Sequence, residues 1–373
     1  MSSWHLVTPE FPPALGGVSE HSRVLAEAAA ARGLDVHVWT AGAGAARERL
    51  PGVEVHATLA AFGDDDLERT GRLLDAFPAP RTIVLQWVPH GYGRRGMNLR
   101  FATWMARRAA AGDRLDVMVH EPFVDYLGGS WIQPVRAVVQ RSMTRAVLRA
   151  AQRVWLSIPG WEERLLSMLP PATTARVLPV PGTIPVDRDP AAVAAARARV
   201  IGGARFVVGY FGTGGPYVDR ALAHTIAQIR ATRPDVGFAL IGRGTSELAG
   251  RLSGLTGIAA TGPVPAGALS HYLQACDVLL QPYVDGVSGR RTTTISALEH
   301  AVPVATTFGR LSEPFWRDTA AVETVAAAAP ERLAAAVLAL LEPARNAEGR
   351  SAALALYAAR FDPRVVLEPL FAD

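Results

Sequence analysis

The chain has 373 residues, 49% of them hydrophobic, which is long for one core and comfortable for two domains. Its net charge is +4 and every cation is Arg, because no Lys occurs anywhere. That absence excludes a Walker A loop, a pyridoxal phosphate Schiff base and any lysine nucleophile, so a bound phosphate must meet Arg, backbone N–H, hydroxyl, His or a metal. The single cysteine, Cys276, excludes intrachain disulfides and Cys-rich metal sites, and its place between a helix end and an apolar strand reads as a buried thiol. The N-terminus lacks a basic segment followed by an apolar run, and no stretch has the apolar length of a membrane span. A cytoplasmic location is expected.

Short apolar runs alternate with helical patterns from the start. Residues 5–9, 35–41, 82–89, 115–123 and 153–158 read as buried parallel strands. Helices such as Ser19–Arg32 and Val135–Gln152 lie between them. A Pro- and Gly-rich break near 178–188 separates a second series, with strands at 205–212, 237–244, 257–262, 277–283 and 303–307. The pattern predicts an α/β protein of two Rossmann-like domains, 1–180 and 188–345, facing each other across a cleft. A helical tail, 346–373, is expected to return to the first domain.

Ligands of open parallel sheets sit at the carboxyl ends of strands, so the polar residues just after each strand are the candidates. The first strand leads through a Pro-rich loop to Gly16-Gly17 and a helix starting near Ser19. Glycines allow close backbone approach there, and a helix N-terminus favours an anion. His21 follows on that helix. His120 and Glu121 close another strand, and His90 with Tyr92 close a third, a pattern that suits an acceptor pocket as well as a solvated turn. Arg141, Arg145, Arg149 and Arg153 recur at four-residue steps, which suits either a solvated helix face or contact with anionic lipid. Cations are not concentrated in either half of the chain, which argues against a nucleic-acid binder.

In the second series, Gly212-Thr213 ends a strand without the spacing of a dinucleotide fingerprint. Arg243 lies between two glycines at another strand end, and a turn at Val264 offers a surface for a planar base. The stretch DGVSGRRTTTISALEHAVPVATT, Asp285 to Thr307, follows a buried strand and opens a helix. Gly289, the helix start at Thr292 and the fork geometry of Arg290 and Arg291 read as a cradle for a diphosphate.

Taken in order, PPALGGVSEHS, HEPF, IGRG, TGPVPAGALSHYLQACDVLLQPYVDG and ALEHAVPVATT resemble the retaining glycosyltransferases of family 4, over nearly the whole length. The resemblance implies a GT-B fold and transfer of a sugar from a nucleotide-diphosphate donor, held mainly by the second domain, to an acceptor held mainly by the first. It implies no metal and no other cofactor. It also implies that the Gly17 backbone approaches the donor phosphate and that His120 lies near the transferred sugar. The chain departs from the family at the two Glu eight residues apart that touch the donor sugar and ribose. Counting back from Pro303-Val304, those positions fall on Ser288 and Ser296, with Asp285 and Glu299 three residues away as candidate substitutes. The expected set is therefore His120, Arg290 and Arg291 for catalysis. Donor candidates are Gly16, Gly17, Gly212, Thr213, Arg243, Val264, Asp285, Ser288, Gly289, Thr292, Ser296 and Glu299. Acceptor candidates are Ser19, His21, His90, Tyr92 and Glu121. The alternatives are another GT-B enzyme, such as a sugar-nucleotide epimerase, and a nucleotide-sugar-binding protein that has lost catalysis.

Overall fold

The computed structural model describes residues 3–42, 44, 50–127, 130–171, 173, 175–201 and 203–372. The chain divides into two units, Met1–Pro179 with Val366–Asp373, and Val180–Val365.

In the first unit the apolar runs become seven strands: β1 (Ser3–Thr8), β2 (Asp35–Thr40), β3 (Val53–His56), β4 (Thr82–Trp87), β5 (Arg114–Val119), β6 (Arg153–Leu156) and β7 (Ala175–Val177). They pair in parallel in the order β3-β2-β1-β4-β5-β6-β7. Central strands have both faces covered by helices, which is why they read as near-continuous apolar runs. The helix Gly17–Ala31 buries Val24, Leu25 and Ala29 against β1 and β2. The order reverses between β1 and β4, so the crevice of this sheet lies beyond their carboxyl ends.

The second unit holds β8 (Phe206–Phe211), β9 (Val236–Ile241), β10 (Ile258–Ala260), β11 (Val278–Gln281), β12 (Val304–Phe308) and β13 (Val322–Ala326). All pairs are again parallel, in the order β10-β9-β8-β11-β12-β13, with the reversal between β8 and β11. The predicted strands all appear. The three that were not predicted, β3, β7 and β13, are edge strands whose residues are mostly half-buried or exposed, so they carry no dense apolar run.

The tail expected from residue 346 divides. The helix Pro343–Arg360 stays in the second unit, with Ala353 in one core cluster with Ile295 and Leu298. Val366, Leu367 and Leu370 pack with Trp4, Leu6 and Trp155 of the first unit, where Arg153 donates to the carbonyls of Leu370 (2.8 Å) and Ala372 (2.7 Å). Cys276 is buried, and burial pushes its thiol up to about 12, so it serves as a small apolar residue. Among the described residues, no helix is long and apolar enough to cross a membrane.

Candidate active site

The stretch from Asp285 leaves β11 through Pro282-Tyr283 and turns into the helix Thr292–Glu299. The turn needs glycine at position 286. Its φ is +90°, and a Cβ there would sit 2.2 Å from the Gly309 nitrogen. The loop is therefore pressed against residues 309–312, and the Leu311 N–H donates to the Asp285 carbonyl at 3.0 Å.

Asp285 binds both arginines. The Arg290 Nη2 donates to its Oδ2 at 3.0 Å, and the Arg291 Nη2 donates to its Oδ1. The Arg291 guanidinium also lies 4.4 Å from the centre of the Tyr283 ring, whose hydroxyl bonds the Thr293 and Thr294 hydroxyls at 2.7 and 2.9 Å. The carboxylate and the ring thus orient the two guanidinium groups before any ligand arrives, which lowers the ordering cost of anion binding. A cavity of about 240 Å³ opens beside them, lined by Gly215, Pro216, Tyr217, Val218, Tyr283 and Arg291 among others. It lies where the sheet order reverses between β8 and β11. Whole-ligand sites run to about 300–1,000 Å³, so this cavity takes part of a ligand.

Several expected donor contacts are instead used by the protein itself. The Gly289 N–H, read as part of the anion cradle, donates to both carboxylate oxygens of Glu313 (3.0 and 3.3 Å), and the Trp316 indole donates to the same group at 2.8 Å. Burial pushes the Glu313 carboxyl up, against the pull of those donors. In the Gly212-Thr213 loop, the Gly214 N–H donates to the Tyr210 hydroxyl (3.0 Å), and the Gly215 N–H to Asp219 (2.9 Å). The Gly212 N–H is spent on the Ile241 carbonyl at 3.3 Å. Near Gly16 and Gly17, the Ser19 N–H donates to Glu10 Oε1 at 3.1 Å, and a Cβ on Gly16 would overlap that carboxylate. The helix N-terminus at Gly17 therefore already holds an anion, supplied by Glu10.

Ser288 and Ser296, where the resemblance led us to expect acids, are fully buried, and their hydroxyls make no hydrogen bond within the protein. Glu299 does not turn to the loop. It accepts from the Tyr357 hydroxyl at 2.8 Å and lies against Gly182, so it serves the core rather than replacing the missing acids. Thr292 is half-buried at the helix start, Arg243 is exposed, and Val264 packs on one side against the core cluster of Ile241 and Tyr272.

In the first unit, Gln86 at the end of β4 joins two predicted residues that the sequence leaves apart. Its Oε1 lies 2.9 Å from His21 Nδ1 and 2.7 Å from His120 Nε2, and the two rings meet edge to face at 4.7 Å. The Gln86 side-chain amide thus bridges the two rings. Burial lowers the His21 pKa to about 4, so this imidazole is neutral at physiological pH. Its Nε2 is buried and makes no hydrogen bond within the protein. Gln86 went unnoticed in the sequence. Its signal is an amide inside the apolar run TIVLQWVP.

Two acceptor candidates are corrected. Tyr92 is fully buried among Phe62, Trp87 and Phe101, and its hydroxyl donates to the Gln86 carbonyl at 2.5 Å, so it is a core residue. Ser19 is fully buried and donates to the Ala14 carbonyl at 2.6 Å, so it fixes the loop. His90 and Glu121 do stand together at the surface, 3.6 Å apart. The arginine stripe is corrected as well. Arg153 lies on β6, bound to Asp116, and Arg141 folds onto Phe123 and Tyr126 while donating to the Val124 carbonyl at 3.0 Å. Only Arg145 and Arg149 remain exposed, and two cations do not make a lipid-binding face.

Residues 205–343 match the family model of glycosyl transferases group 1. The chain also aligns over 99% of its length with solved structures. Sucrose-phosphate synthase (tll1590) from Thermosynechococcus elongatus is 17% identical with a TM-score of 0.72, and 97% of that chain is covered. Anabaena Alr3699/HepE, solved in complex with UDP and glucose, is 16% identical with a TM-score of 0.71 and 98% covered. WaaG, a glycosyltransferase involved in lipopolysaccharide biosynthesis, is 15% identical with a TM-score of 0.70 and 100% covered. The chain has the GT-B fold, and its second unit contains the stretch that matches the group 1 model. No curated protein sequence matches it. The expected α/β fold of two Rossmann-like domains stands, and the group 1 match lies within the unit that carries Arg290 and Arg291.

Proposed function

We propose that this protein is a retaining glycosyltransferase that moves a sugar from a nucleotide-diphosphate sugar to a hydroxyl acceptor, without a metal or other cofactor at the reaction centre. The observation that carries this reading is the arginine pair at the start of helix Thr292–Glu299, beside the cavity at the β8/β11 reversal, inside the region that matches the group 1 family. HepE was solved with UDP and with UDP-glucose, which makes uridine diphosphate the first nucleotide to test.

In this reaction the bond from the sugar's anomeric carbon to the diphosphate breaks as a bond to the acceptor oxygen forms. The leaving phosphate gathers negative charge, and Arg290 and Arg291 stabilise it where it develops. The acceptor's proton passes to a leaving phosphate oxygen. His120, paired with Gln86 and His21, is assigned to a hydroxyl of the transferred sugar, and the exposed pair His90 and Glu121 to the acceptor.

A UDP-N-acetylglucosamine 2-epimerase from Listeria monocytogenes shares the fold at a lower TM-score, 0.57, and keeps epimerisation as the second reading. The serines at 288 and 296 keep a third, a nucleotide-sugar binder without turnover. One experiment separates the three. The chain is screened by thermal shift against nucleoside diphosphates, then incubated with the sugar nucleotide of the stabilising base, with and without an acceptor panel. Transferase activity predicts a rise in melting temperature with one base and donor consumption that requires acceptor, with the anomeric configuration kept in the product. Donor conversion without acceptor establishes the epimerase, and stabilisation without conversion establishes the binder.

A further inference from the structure

A second group of imidazoles, at the β3 edge of the first sheet, has no part in this chemistry. Register sets His37 opposite Glu54 and Trp39 opposite His56, so the period of two brings all four to one face of strands β2 and β3. His37 Nδ1 is 3.1 Å from His56 Nε2 and 3.5 Å from Glu54 Oε2, and His56 Nε2 is 3.8 Å from Glu54 Oε1. Ligands held about 2.0–2.1 Å from a tetrahedral ion stand about 3.4 Å from one another, so the three groups already have the spacing of one face of a tetrahedron.

The surroundings fit the same purpose. The other nitrogen of His37, Nε2, lies 3.2 Å from Asp35 Oδ1 without the alignment of a hydrogen bond, so a small rotation of that exposed carboxylate would let it orient a metal-binding imidazole. The Trp39 ring stacks on the His56 ring at 4.0 Å and fixes its plane. His5, which stacks on His37, is committed elsewhere, since its Nδ1 accepts from Trp39 and its Nε2 bonds the Ser3 hydroxyl. The two imidazoles are mostly buried, with side chains 5% and 17% exposed, whereas Glu54 is 66% exposed, so the open side of the cluster faces solvent. Among the described residues, this is the one group of three such side chains close enough to share an ion.

We propose that His37, His56 and Glu54 form a site for a divalent transition-metal ion of the zinc class, with solvent in the fourth position. Two imidazoles and one carboxylate suit zinc, cobalt or nickel, and not magnesium or calcium, which take oxygen ligands. The ion would tie the four-residue edge strand β3 to β2. It stands apart from the glycosyl transfer, because His120 follows β5, three places beyond β2 in the sheet order. The proposal therefore does not depend on the functional reading above.

The test uses the full chain without an affinity tag, dialysed against chelator and titrated with CoCl2, then with ZnCl2. One Co2+ per chain is expected, with the strong visible bands of a tetrahedral centre, quenching of tryptophan fluorescence through Trp39, and displacement by Zn2+. Zn2+ should also raise the melting temperature. Glu54→Gln and His56→Ala should each weaken binding by about tenfold or more. Glu54→Gln, at an exposed position, keeps the test readable if His56→Ala does not fold. His271→Ala in the second unit should bind as the parent does. No saturable Co2+ binding, octahedral-type weak bands alone, or unchanged affinity in Glu54→Gln would overturn the site.

Discussion

Replacing Arg291 by alanine is expected to weaken uridine diphosphate binding about thirtyfold. The estimate comes from one charge-assisted hydrogen-bond interaction, worth about 2 kcal/mol. Arg291 is the arginine that lines the cavity, with its guanidinium held by Asp285 on one side and the Tyr283 ring on another. Its Nε is buried and makes no hydrogen bond within the protein, so the fork has donor capacity left for a phosphate oxygen. Calorimetry with UDP reads the loss directly, and a change smaller than about twofold would remove Arg291 from the donor site. Arg291→Lys sharpens the result. It keeps the charge but loses the planar fork and its stacking on Tyr283, so its affinity should fall between parent and alanine variant. An affinity equal to the parent's would mean that Arg291 contributes only as a point charge.

The same loop shows what was legible in the sequence and what was not. The strand–loop–helix order, the glycines and the arginine pair could all be read from DGVSGRR, because each acts through local geometry. The anions already present could not. Glu10 lies nine residues from the Ser19 N–H it accepts from, and Glu313 lies 24 residues from Gly289. In both places the loop N–H expected to meet a ligand anion donates to the protein's own carboxylate. Asp219 at the Gly215 N–H is a third case. These contacts leave the two arginines as the cationic feature of the Asp285–Arg291 loop, and they concentrate the proposed function there. In the first unit, burial separates the candidates. Tyr92 and Ser19 follow strand ends, as a site residue should, yet both side chains are spent on nearby carbonyls. Gln86 was overlooked because an amide in an apolar strand gives no periodic signal, although it is the atom that joins His21 to His120.

Glu299 supplies the second large effect, in stability rather than binding. Burial pushes its carboxyl up from 4.5 to about 7, against the donation from Tyr357, and the nearby Asp362 adds to the rise. At pH below the unfolded value, both states hold the proton and Glu299 contributes nothing to the pH dependence. As pH rises from 4.5 to about 7 the unfolded chain ionises first, so folding stability falls, and above that range the loss is constant. A shift of this size corresponds to roughly 3 kcal/mol at pH 8. Glu299→Gln cannot ionise and can still accept from Tyr357. Relative to its own value at low pH, the variant should therefore retain at pH 8 roughly 3 kcal/mol that the parent loses. Urea unfolding of both proteins across this range isolates the effect of Glu299 with its coupled neighbour Asp362, because groups not coupled to them titrate alike in the two and cancel in the difference. Parallel pH profiles would show that the carboxyl ionises freely in the folded state. UDP affinity, measured on the same samples, should be unchanged, because Glu299 faces Tyr357 and Gly182 rather than the arginine loop. A loss of affinity would return Glu299 to the place of the missing acid.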